Sequence, residues 1–397
     1  MTHGLRKLLL GAGAGFAAGY LAVRVWEAAR ECRRPSSPLE KDAAAYARRR
    51  RHLEVVNTAR AIAGTVAFAY GPLGDAADRA TLDAPAWLRP ALLVGPLSLL
   101  SAALDLPVAF AEDYTLERRY GLSDQSRADW LKDYAKSSLL SAAVMAFVSS
   151  LFGVAVRHAL RSWPAIASAG AFPLFVLANL VVPLYVMPLF NKFTPVTGSL
   201  EERLRALARR YGVGDAEILR MDMSRQTRKA NAFVTGIGRT HRIVLGDTLI
   251  EAFPEREIEF VVAHELGHYV SKDTWRLIGL AEVLAVLLFA YAYRATPQAE
   301  REELRKRPLL LMRFYASMLF ATQVLRPLLF GFSRSREWAA DEFAIGATAD
   351  SRSGASAFRR LRDQNLADED PPGWYEFFFS SHPSLKKRIA ALEGGAA

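Results

Sequence analysis

The chain has 397 residues, of which 51 are Lys or Arg and 41 are Asp or Glu, giving a formal net charge of +10. Hydrophobic residues make up 51% of the chain and charged residues 23%, which excludes collagen-like and disordered proteins. The mean hydropathy is still +0.07, so apolar and charged residues must be segregated, as in a membrane protein with a large polar region. The single cysteine, Cys32, excludes an internal disulfide framework and a Cys-rich zinc module.

Seven apolar segments are candidates for membrane-spanning helices, which need about 20 mostly apolar residues. The first also resembles a cleavable signal peptide, because basic residues precede a short apolar run, but no clear small-residue cleavage site follows it. Asp105 and Glu282 lie within two of these segments, where acids usually face a protein interior or a water-filled cavity; a position at a helix end is the alternative. The segments are 8–23, 55–73, 90–111, 137–156, 162–191, 278–293 and 314–332.

Loop charge predicts the orientation of the spans, because short basic loops stay in the cytoplasm. The four-arginine run 48–51 follows the first span, and alternation then places 192–273 and the C-terminus inside. The basic loop 294–307 contradicts this scheme. The chain has 41 Arg against 10 Lys, which favours a GC-rich coding sequence, and we expect a bacterial inner membrane with the later polar segments in the cytoplasm.

The positive charge has a simple explanation in this arrangement. It lies largely in the loops next to the spans, and the sequence contains no nucleic-acid-binding motif. We therefore expect a lipid bilayer and no nucleic acid among the partners of the chain.

The polar sequence is predicted to form one domain from two separate stretches. An N-terminal membrane region, 1–191, precedes the first stretch, 192–274, and two further spans in 275–334 separate it from the second, 335–397. The two stretches must meet if they are to build a common site.

Local patterns in the first polar stretch predict two helices and a hairpin. Leu200, Leu204, Leu207 and Ala208 share one face of a helix over 200–211. Segments 230–235 and 242–245 read as strands on either side of a glycine-rich turn at 236–238. A helix is also predicted over 254–270, because Pro254 and the early glutamates suit a helix N-terminus.

The second of these helices carries His264, Glu265 and His268 in the pattern His-Glu-Leu-Gly-His. Side chains four residues apart lie on one face of a helix, so both imidazoles can bind one Zn²⁺. Zinc would activate a water molecule, and Glu265 would take its proton as general base. Gly267 costs helix stability, which is most easily explained where the backbone approaches another element closely. The alternative is a helix with two surface histidines.

A catalytic zinc requires a third protein ligand. Glu337 is the candidate, because it follows the last span in a segment that reads as helical. Asp341 lies one turn further on the same face and could accept the second ring N–H of a ligand histidine. Taken alone, both acids would more often be solvated helix charges.

With these motifs the chain resembles the membrane-integrated zinc metalloproteases of the type I CAAX prenyl protease family. The resemblance covers nearly the whole chain and implies a mainly α-helical, polytopic membrane protein with about seven spans. It also implies a zincin-type metalloprotease domain with a small β-hairpin or sheet. The related, shorter heat-shock membrane proteases have fewer spans and match less well. The matching stretches are 120–122, 189–195, 231–236, 242–249, 264–268, 335–341 and 381–388.

The resemblance implies one Zn²⁺ per chain and a role for each matching residue. The zinc ligands would be His264, His268 and Glu337, with Glu265 as the catalytic base and Asp341 orienting a ligand histidine.

Three further residues are assigned to the site by the resemblance. Asn231 would hold the substrate backbone, as expected if a peptide adds to the edge of the hairpin. His382 would stabilise the oxyanion, which needs a donor besides the metal. Arg388 would lie near the zinc and contact substrate, although its neighbours Lys386 and Lys387 favour a plain basic face.

The predicted function is an integral-membrane zinc endopeptidase that cleaves membrane-associated or C-terminally prenylated, CAAX-type substrates. A quality-control protease acting on unprenylated membrane proteins is the alternative biological role. A chamber-forming scaffold or transporter with a structural zinc is the alternative from another class. The family encloses a large internal chamber, which Asp105 and Glu282 could line.

Overall fold

Long helices make up the N-terminal half of the chain. The computed structural model describes residues 41–236, 240–295, 303, 307 and 309–394. Its first helices are α1 (Lys41–Tyr70), α2 (Pro72–Ala80), α3 (Arg89–Ala109), α4 (Arg127–His158) and α5 (Trp163–Val181).

Two of these helices end in looser helical turns. α3 continues through a π-helical segment, Phe110–Leu116, and α5 through Val182–Val186 and the 3₁₀ turn Met187–Leu189. Pro183 and Pro188 lie in the second extension, and prolines interrupt an α-helical ladder because they lack an N–H. The predicted span 162–191 is therefore α-helical only as far as Val181.

Four of the described helices are long and apolar enough to cross a membrane. They are Arg89–Arg119, Arg127–His158, Trp163–Leu189 and Asp273–Arg294. The predicted spans 55–73 and 314–332 fall largely within α1 and α10 (Leu309–Thr348), which are long enough but less apolar. Large apolar side chains such as Leu104, Phe147 and Leu177 lie exposed on the four helices, as a lipid-facing surface requires. The predicted span 8–23 lies outside the described residues.

The acids predicted at membrane depth have different surroundings. Asp105 on α3 pairs with Arg60 on α1 at 2.9 Å, which joins two predicted spans and reduces the cost of both charges. Glu282 is half-buried on the helix Asp273–Ala295, and its covered Oε2 accepts no hydrogen bond from the described chain.

A four-stranded sheet lies beside the membrane helices. Its strands are β1 (Phe193–Pro195), β2 (Glu217–Met221), β3 (Ala232–Thr235) and β4 (Arg242–Gly246), in the order β1-β2-β4-β3. β3 and β4 pair antiparallel with Ala232 opposite Leu245, so the predicted hairpin is confirmed, although residues 237–239 of its turn lie outside the described part. β4 also pairs in parallel with β2, which pairs antiparallel with β1. β3 therefore lies at one end of the sheet.

The remaining helices pack around this sheet and the central helix. In chain order they are α6 (Ser199–Arg210), α7 (Asp247–Ala252), α8 (Glu255–Val270), α9 (Asp273–Ala295), α10 (Leu309–Thr348), α11 (Ser351–Asn365), α12 (Gly373–Phe379) and α13 (Leu385–Glu393).

The two polar stretches share one hydrophobic core. It contains Leu204 of α6, Leu245 of β4, Phe260 of α8 and Phe358 of α11. The four predicted core residues of α6 are buried, and the bounds of α8 agree with the predicted helix 254–270. Because α8 and α11 pack in the same cluster, residues far apart in sequence meet at the face of α8.

α10 joins the membrane region to this core without a break. It runs for 40 residues and carries both the predicted span 314–332 and Glu337. The predicted divisions at 274/275 and 334/335 fall inside α9 and α10, so each of these helices belongs to both regions.

Candidate metal centre and active site

The site is built where α8 approaches α10 at Gly267. A Cβ atom added to Gly267 would lie 3.1 Å from Ala340 Cα and 3.2 Å from Phe343 Cβ, both on α10. The absence of a side chain therefore allows the two helices to approach closely, as predicted from the cost of a glycine within a helix. The approach brings Glu337 against the histidine face of α8.

Three predicted ligands form one compact group, called the metal group below. One donor atom from each of His264, His268 and Glu337 lies within 4.8 Å of the others. The two Nε2 atoms are 3.2 Å apart, and the Glu337 carboxylate lies 3.4 Å from His264 Nε2 and 3.3 Å from His268 Nε2. Among the described residues, this is the one group of three or more His, Cys, Asp or Glu side chains that could hold a metal ion.

The other nitrogen of each histidine faces a buried carboxylate. His264 Nδ1 lies 2.9 Å from Asp341 Oδ1, and His268 Nδ1 lies 3.0 Å from Asp273 Oδ2. A ring N–H that donates to a carboxylate fixes the tautomer and leaves Nε2 free to bind metal. Asp341, which makes the first of these contacts, is the residue predicted to orient a ligand histidine. Asp273 was not among the predicted site residues, and it also accepts a hydrogen bond from Arg336 Nε at 2.7 Å.

Arg388 lies inside the site and not on a basic surface. Its side chain is buried, and it donates to both oxygens of Asp341 at 2.8 and 2.6 Å. Its Nη1 lies 3.1 Å from Glu337 Oε2, and its guanidinium lies 4.2 Å from the ring centre of Phe358. By contrast, the neighbouring Lys386 and Lys387 side chains are exposed. The described contacts of Arg388 are thus with the site carboxylates, with Phe358 and with His264 Nδ1, which lies 3.3 Å from its Nη2. Its predicted contact with substrate stays a prediction.

His382 and Asn231 lie at the accessible side of the group. His382 Nδ1 is 2.9 Å from Glu337 Oε2, and 61% of its side chain is exposed, so it can reach a bound molecule. Asn231 is exposed immediately before β3, the strand at the end of the sheet. A small cavity of about 120 Å³ connects this strand with the metal group, and it is lined by Val234, Thr235, Gly236 and His268 among others.

The electrostatics of the group favour a bound cation. Burial lowers the pKa of His264, but the hydrogen bonds with Asp341 and Glu337 outweigh it and raise this pKa to about 9. Burial opposes ionisation of Glu337, yet its close contacts with His264, His268 and His382 hold its pKa well below the usual range. The carboxylates therefore draw positive charge between them, and a metal ion can replace the proton that they otherwise hold on His264.

Glu265 differs from the other acids of the site. Burial raises its pKa above that of an ordinary glutamate, while the neighbouring His264 and His268 lower it. A carboxylate with a raised pKa is a stronger base, which suits an acceptor of a proton from water near neutral pH.

The donor set fits a divalent metal of the zinc type. Two imidazoles and one carboxylate are the ligands of many catalytic zinc sites, which leave a further position for water. Glu337 Oε2 is buried and accepts no well-aligned hydrogen bond, although His382 and Arg388 lie within ion-pair distance of it. A buried carboxylate oxygen in this state is one that a metal ion would satisfy.

Apolar helices that can cross a membrane, joined to a metal group on a His-Glu-Leu-Gly-His helix, define a membrane-embedded metallopeptidase. Residues 196–396 match the model of peptidase family M48. Residues 38–192 match the family model described as "CAAX prenyl protease N-terminal, five membrane helices". The chain therefore belongs to peptidase family M48, and it is an integral-membrane metalloendopeptidase of the type I CAAX prenyl protease family.

Relatives from bacteria and eukaryotes are similar over most of the chain. "Uncharacterized metalloprotease YhfN" of Bacillus subtilis is 30% identical over 75% of this chain and 71% of its own length. "CAAX prenyl protease 1" of Saccharomyces cerevisiae is 27% identical over 76% of this chain and 71% of its own length. The crystal structure of S. mikatae Ste24p has the same fold, with a TM-score of 0.85 at 21% identity, covering 98% of this chain and 99% of that one.

Proposed function

We propose that the chain is a zinc endopeptidase in which His264, His268 and Glu337 bind the zinc. The observation that carries this proposal is the direction of the histidine nitrogens. Both Nε2 atoms face one point beside the Glu337 carboxylate, while both Nδ1 atoms face a buried acid. A bound zinc ion would serve as the Lewis acid that activates water and polarises the carbonyl of the peptide bond.

Glu265 acts as the general base that accepts the proton from the attacking water and then passes it to the leaving amine. It follows His264 directly on α8, and burial raises its pKa. His382 donates to the oxyanion that develops on the substrate carbonyl, which is supported by its exposure and its 2.9 Å contact with Glu337. Asp341 holds His264, and Arg388 holds Asp341.

The substrate binds as an added strand along β3. This strand ends the sheet, and Asn231 is exposed at its start, where its side chain can hold the backbone of a peptide. Strand addition provides main-chain hydrogen bonds that do not depend on sequence. Specificity must then come from the surroundings of the peptide.

The substrates are membrane-associated proteins cut near the C-terminus, and the prenylated, CAAX-type C-terminus is the form that the relatives support. Relatives from yeast, rice and human are named CAAX prenyl protease 1 or its homologue. The four apolar helices support a site beside a bilayer, where a lipidated peptide is concentrated.

A comparison of farnesylated and unmodified C-terminal peptides tests this substrate class. We expect the purified protein in detergent to cleave the farnesylated peptide with the higher kcat/KM. Equal kcat/KM values for both peptides would remove the prenyl-specific function and leave membrane-protein quality control. Zinc binding without cleavage of either peptide would support a scaffold with a structural zinc.

The membrane is the bacterial inner membrane, with the zinc site toward the cytoplasm. Arg51 at the basic end of α1 pairs with Asp368, and Glu54 accepts a hydrogen bond from Tyr375 at 2.6 Å. The arginine run 48–51 therefore lies at the same end of the membrane helices as the metal group. Basic residues near span ends are retained on the cytoplasmic side.

A further inference from the structure

A half-buried arginine holds the end of the short helix that precedes His382. Arg334 lies on α10, and its Nη1 donates to the C=O of Glu376 and to the C=O of Ser380, both at 2.8 Å. Glu376 lies in the last turn of α12, and Ser380 is the residue directly after this helix. The last four carbonyls of a helix have no partners within it, and an arginine side chain can donate to them. Arg334 therefore fixes the point at which the chain leaves α12.

Ser380 passes this restraint on to His382. The Ser380 N–H donates to Glu376 C=O at 3.3 Å, and its side-chain Oγ donates to His382 C=O at 2.7 Å. The turn that carries His382, residues 380–383, is thus held by hydrogen bonds on the side of α12.

The other end of this turn is held by α13. Pro383 and Ser384 are buried, and Ser384 Oγ accepts a hydrogen bond from Lys387 N–H in the first turn of α13. The Lys387 side chain pairs with Glu376 at 2.9 Å, which joins α13 to α12. By contrast, 61% of the His382 side chain is exposed, so packing does not fix its ring. The direction of the ring therefore depends on the main chain that carries it.

The place of Arg334 on α10 relates this turn to the metal group. Arg334 lies three residues before Glu337, and side chains at this spacing are neighbours on a helix. The Glu337 carboxylate lies 2.9 Å from His382 Nδ1, which leaves Nε2 as the ring nitrogen that can donate to a substrate. One face of α10 therefore contacts both the ring of His382 and the end of the helix before it.

Arg334 differs from the other two arginines near the metal group. Arg388 pairs with Asp341 and Arg336 pairs with Asp273, so both hold carboxylates that orient the ligand histidines. Within the described part of the chain, Arg334 forms no ion pair, and its hydrogen bonds go to main-chain carbonyls. Its replacement should therefore leave the metal group intact.

We propose that Arg334 is a positioning residue for the oxyanion, because by holding Ser380 it keeps His382 Nε2 directed at the substrate carbonyl. Arg334 acts through His382 and touches neither the substrate nor the metal. This inference rests on the proposed peptidase function and on the oxyanion role of His382. An oxyanion donor contributes most when charge develops on the carbonyl, so loss of Arg334 should slow the chemical step and leave substrate binding along β3 unchanged.

A double-mutant cycle in a peptide-cleavage assay tests the proposal. We expect Arg334→Gln to lower kcat about 10- to 30-fold with KM within about twofold of the wild-type value. In the His382→Ala protein the same change should lower kcat by less than about twofold, because the group through which Arg334 acts is gone. Arg334→Lys keeps a cationic donor for the carbonyls and should give an intermediate kcat. It also provides a second variant if Arg334→Gln does not fold.

Arg205→Gln is the matched control. Arg205 Nη1 also donates to two main-chain carbonyls, those of Gly214 and Ala216 between α6 and β2, at 2.9 and 3.4 Å. This variant should keep kcat within about twofold of the wild-type value. Zinc content should stay at the wild-type level in both variants, and hydrogen exchange in residues 376–384 should become faster only in Arg334→Gln.

The proposal is overturned if Arg334→Gln leaves kcat unchanged or loses its zinc. It is also overturned if Arg334→Gln lowers kcat by the same factor with and without His382, as a purely structural residue would. A His382→Ala protein with the wild-type kcat contradicts the oxyanion role of His382 and with it the proposal. A wild-type protein that cleaves no peptide contradicts the peptidase function instead.

Discussion

At the scale of single residues, the histidine spacing alone predicted two of the three members of the metal group. A separation of four residues on a helix places His264 and His268 on one face. Glu337 and Asp341 were candidates only because a catalytic zinc needs a third ligand, since their approach depends on how α8 packs against α10. Asp273 had no sequence signal. It lies three residues beyond the end of α8, and only the folded turn brings its carboxylate to His268 Nδ1.

Asp273 should set the metal affinity of the site. We expect Asp273→Asn to weaken zinc binding about 10- to 100-fold, because His268 loses the charged acceptor that fixes its ring. Competition with a metal chelator measures this affinity directly. Asp370→Asn is the control, since Asp370 forms an exposed ion pair with Lys386. Equal zinc affinities for Asp273→Asn and the wild type would show that His268 is oriented without Asp273.

At the scale of elements, two periodic helices and the β3–β4 hairpin were predicted, whereas the strands β1 and β2 were missed. α6 and α8 have regular patterns of apolar residues or clear N-terminal signals. β1 has only three residues. β2 lacks alternation because adjacent Ile218 and Leu219 are both buried, one in the main core and one in a separate cluster with Val244. A strand covered on both faces carries no period-two signal.

The close approach of α8 and α10 should depend on Gly267. Alanine has the higher helix propensity, but its Cβ would lie 3.1 Å from Ala340 Cα on α10, a tighter contact than ordinary packing allows. We expect Gly267→Ala to lower the free energy of unfolding by about 1–2 kcal/mol and to weaken zinc binding, because the helices separate. Chemical denaturation and a chelator titration measure both effects.

Gly346→Ala is the matched control for this prediction. Gly346 also lies within α10, and a Cβ added there meets no atom within 4 Å. It should leave zinc binding unchanged and should not lower stability. If Gly267→Ala behaves in the same way, close packing at Gly267 is not what assembles the metal group.

At the scale of the whole molecule, hydropathy located the spans but not the ends of the helices. An apolar window shows where a helix can cross the bilayer and carries no signal for how far the helix continues. α10 extends from the membrane region through Glu337 to Thr348, so the helix that carries the predicted span 314–332 also carries the candidate ligand Glu337. The predicted domain boundary at 334/335 therefore falls inside one continuous helix.

The proposed orientation of the whole molecule rests on the charge of its basic end. Because 48–51 and the metal group lie at the same end, we expect a reporter fused at the C-terminus to remain in the cytoplasm. Green fluorescent protein at this position should fluoresce in bacterial cells, and alkaline phosphatase should be inactive. Active phosphatase at the C-terminus would place the metal group on the other side of the membrane.

The central claim is that Glu265 performs proton transfer beside a bound zinc ion. The most direct measurement is peptide cleavage by Glu265→Gln together with its zinc content, because glutamine keeps the size of the side chain and cannot act as a base. We expect cleavage to fall by about 10²- to 10⁴-fold while the protein retains one zinc per chain. Cleavage at the wild-type rate by zinc-loaded Glu265→Gln, or a wild-type protein that cleaves peptides without any bound metal, would contradict it.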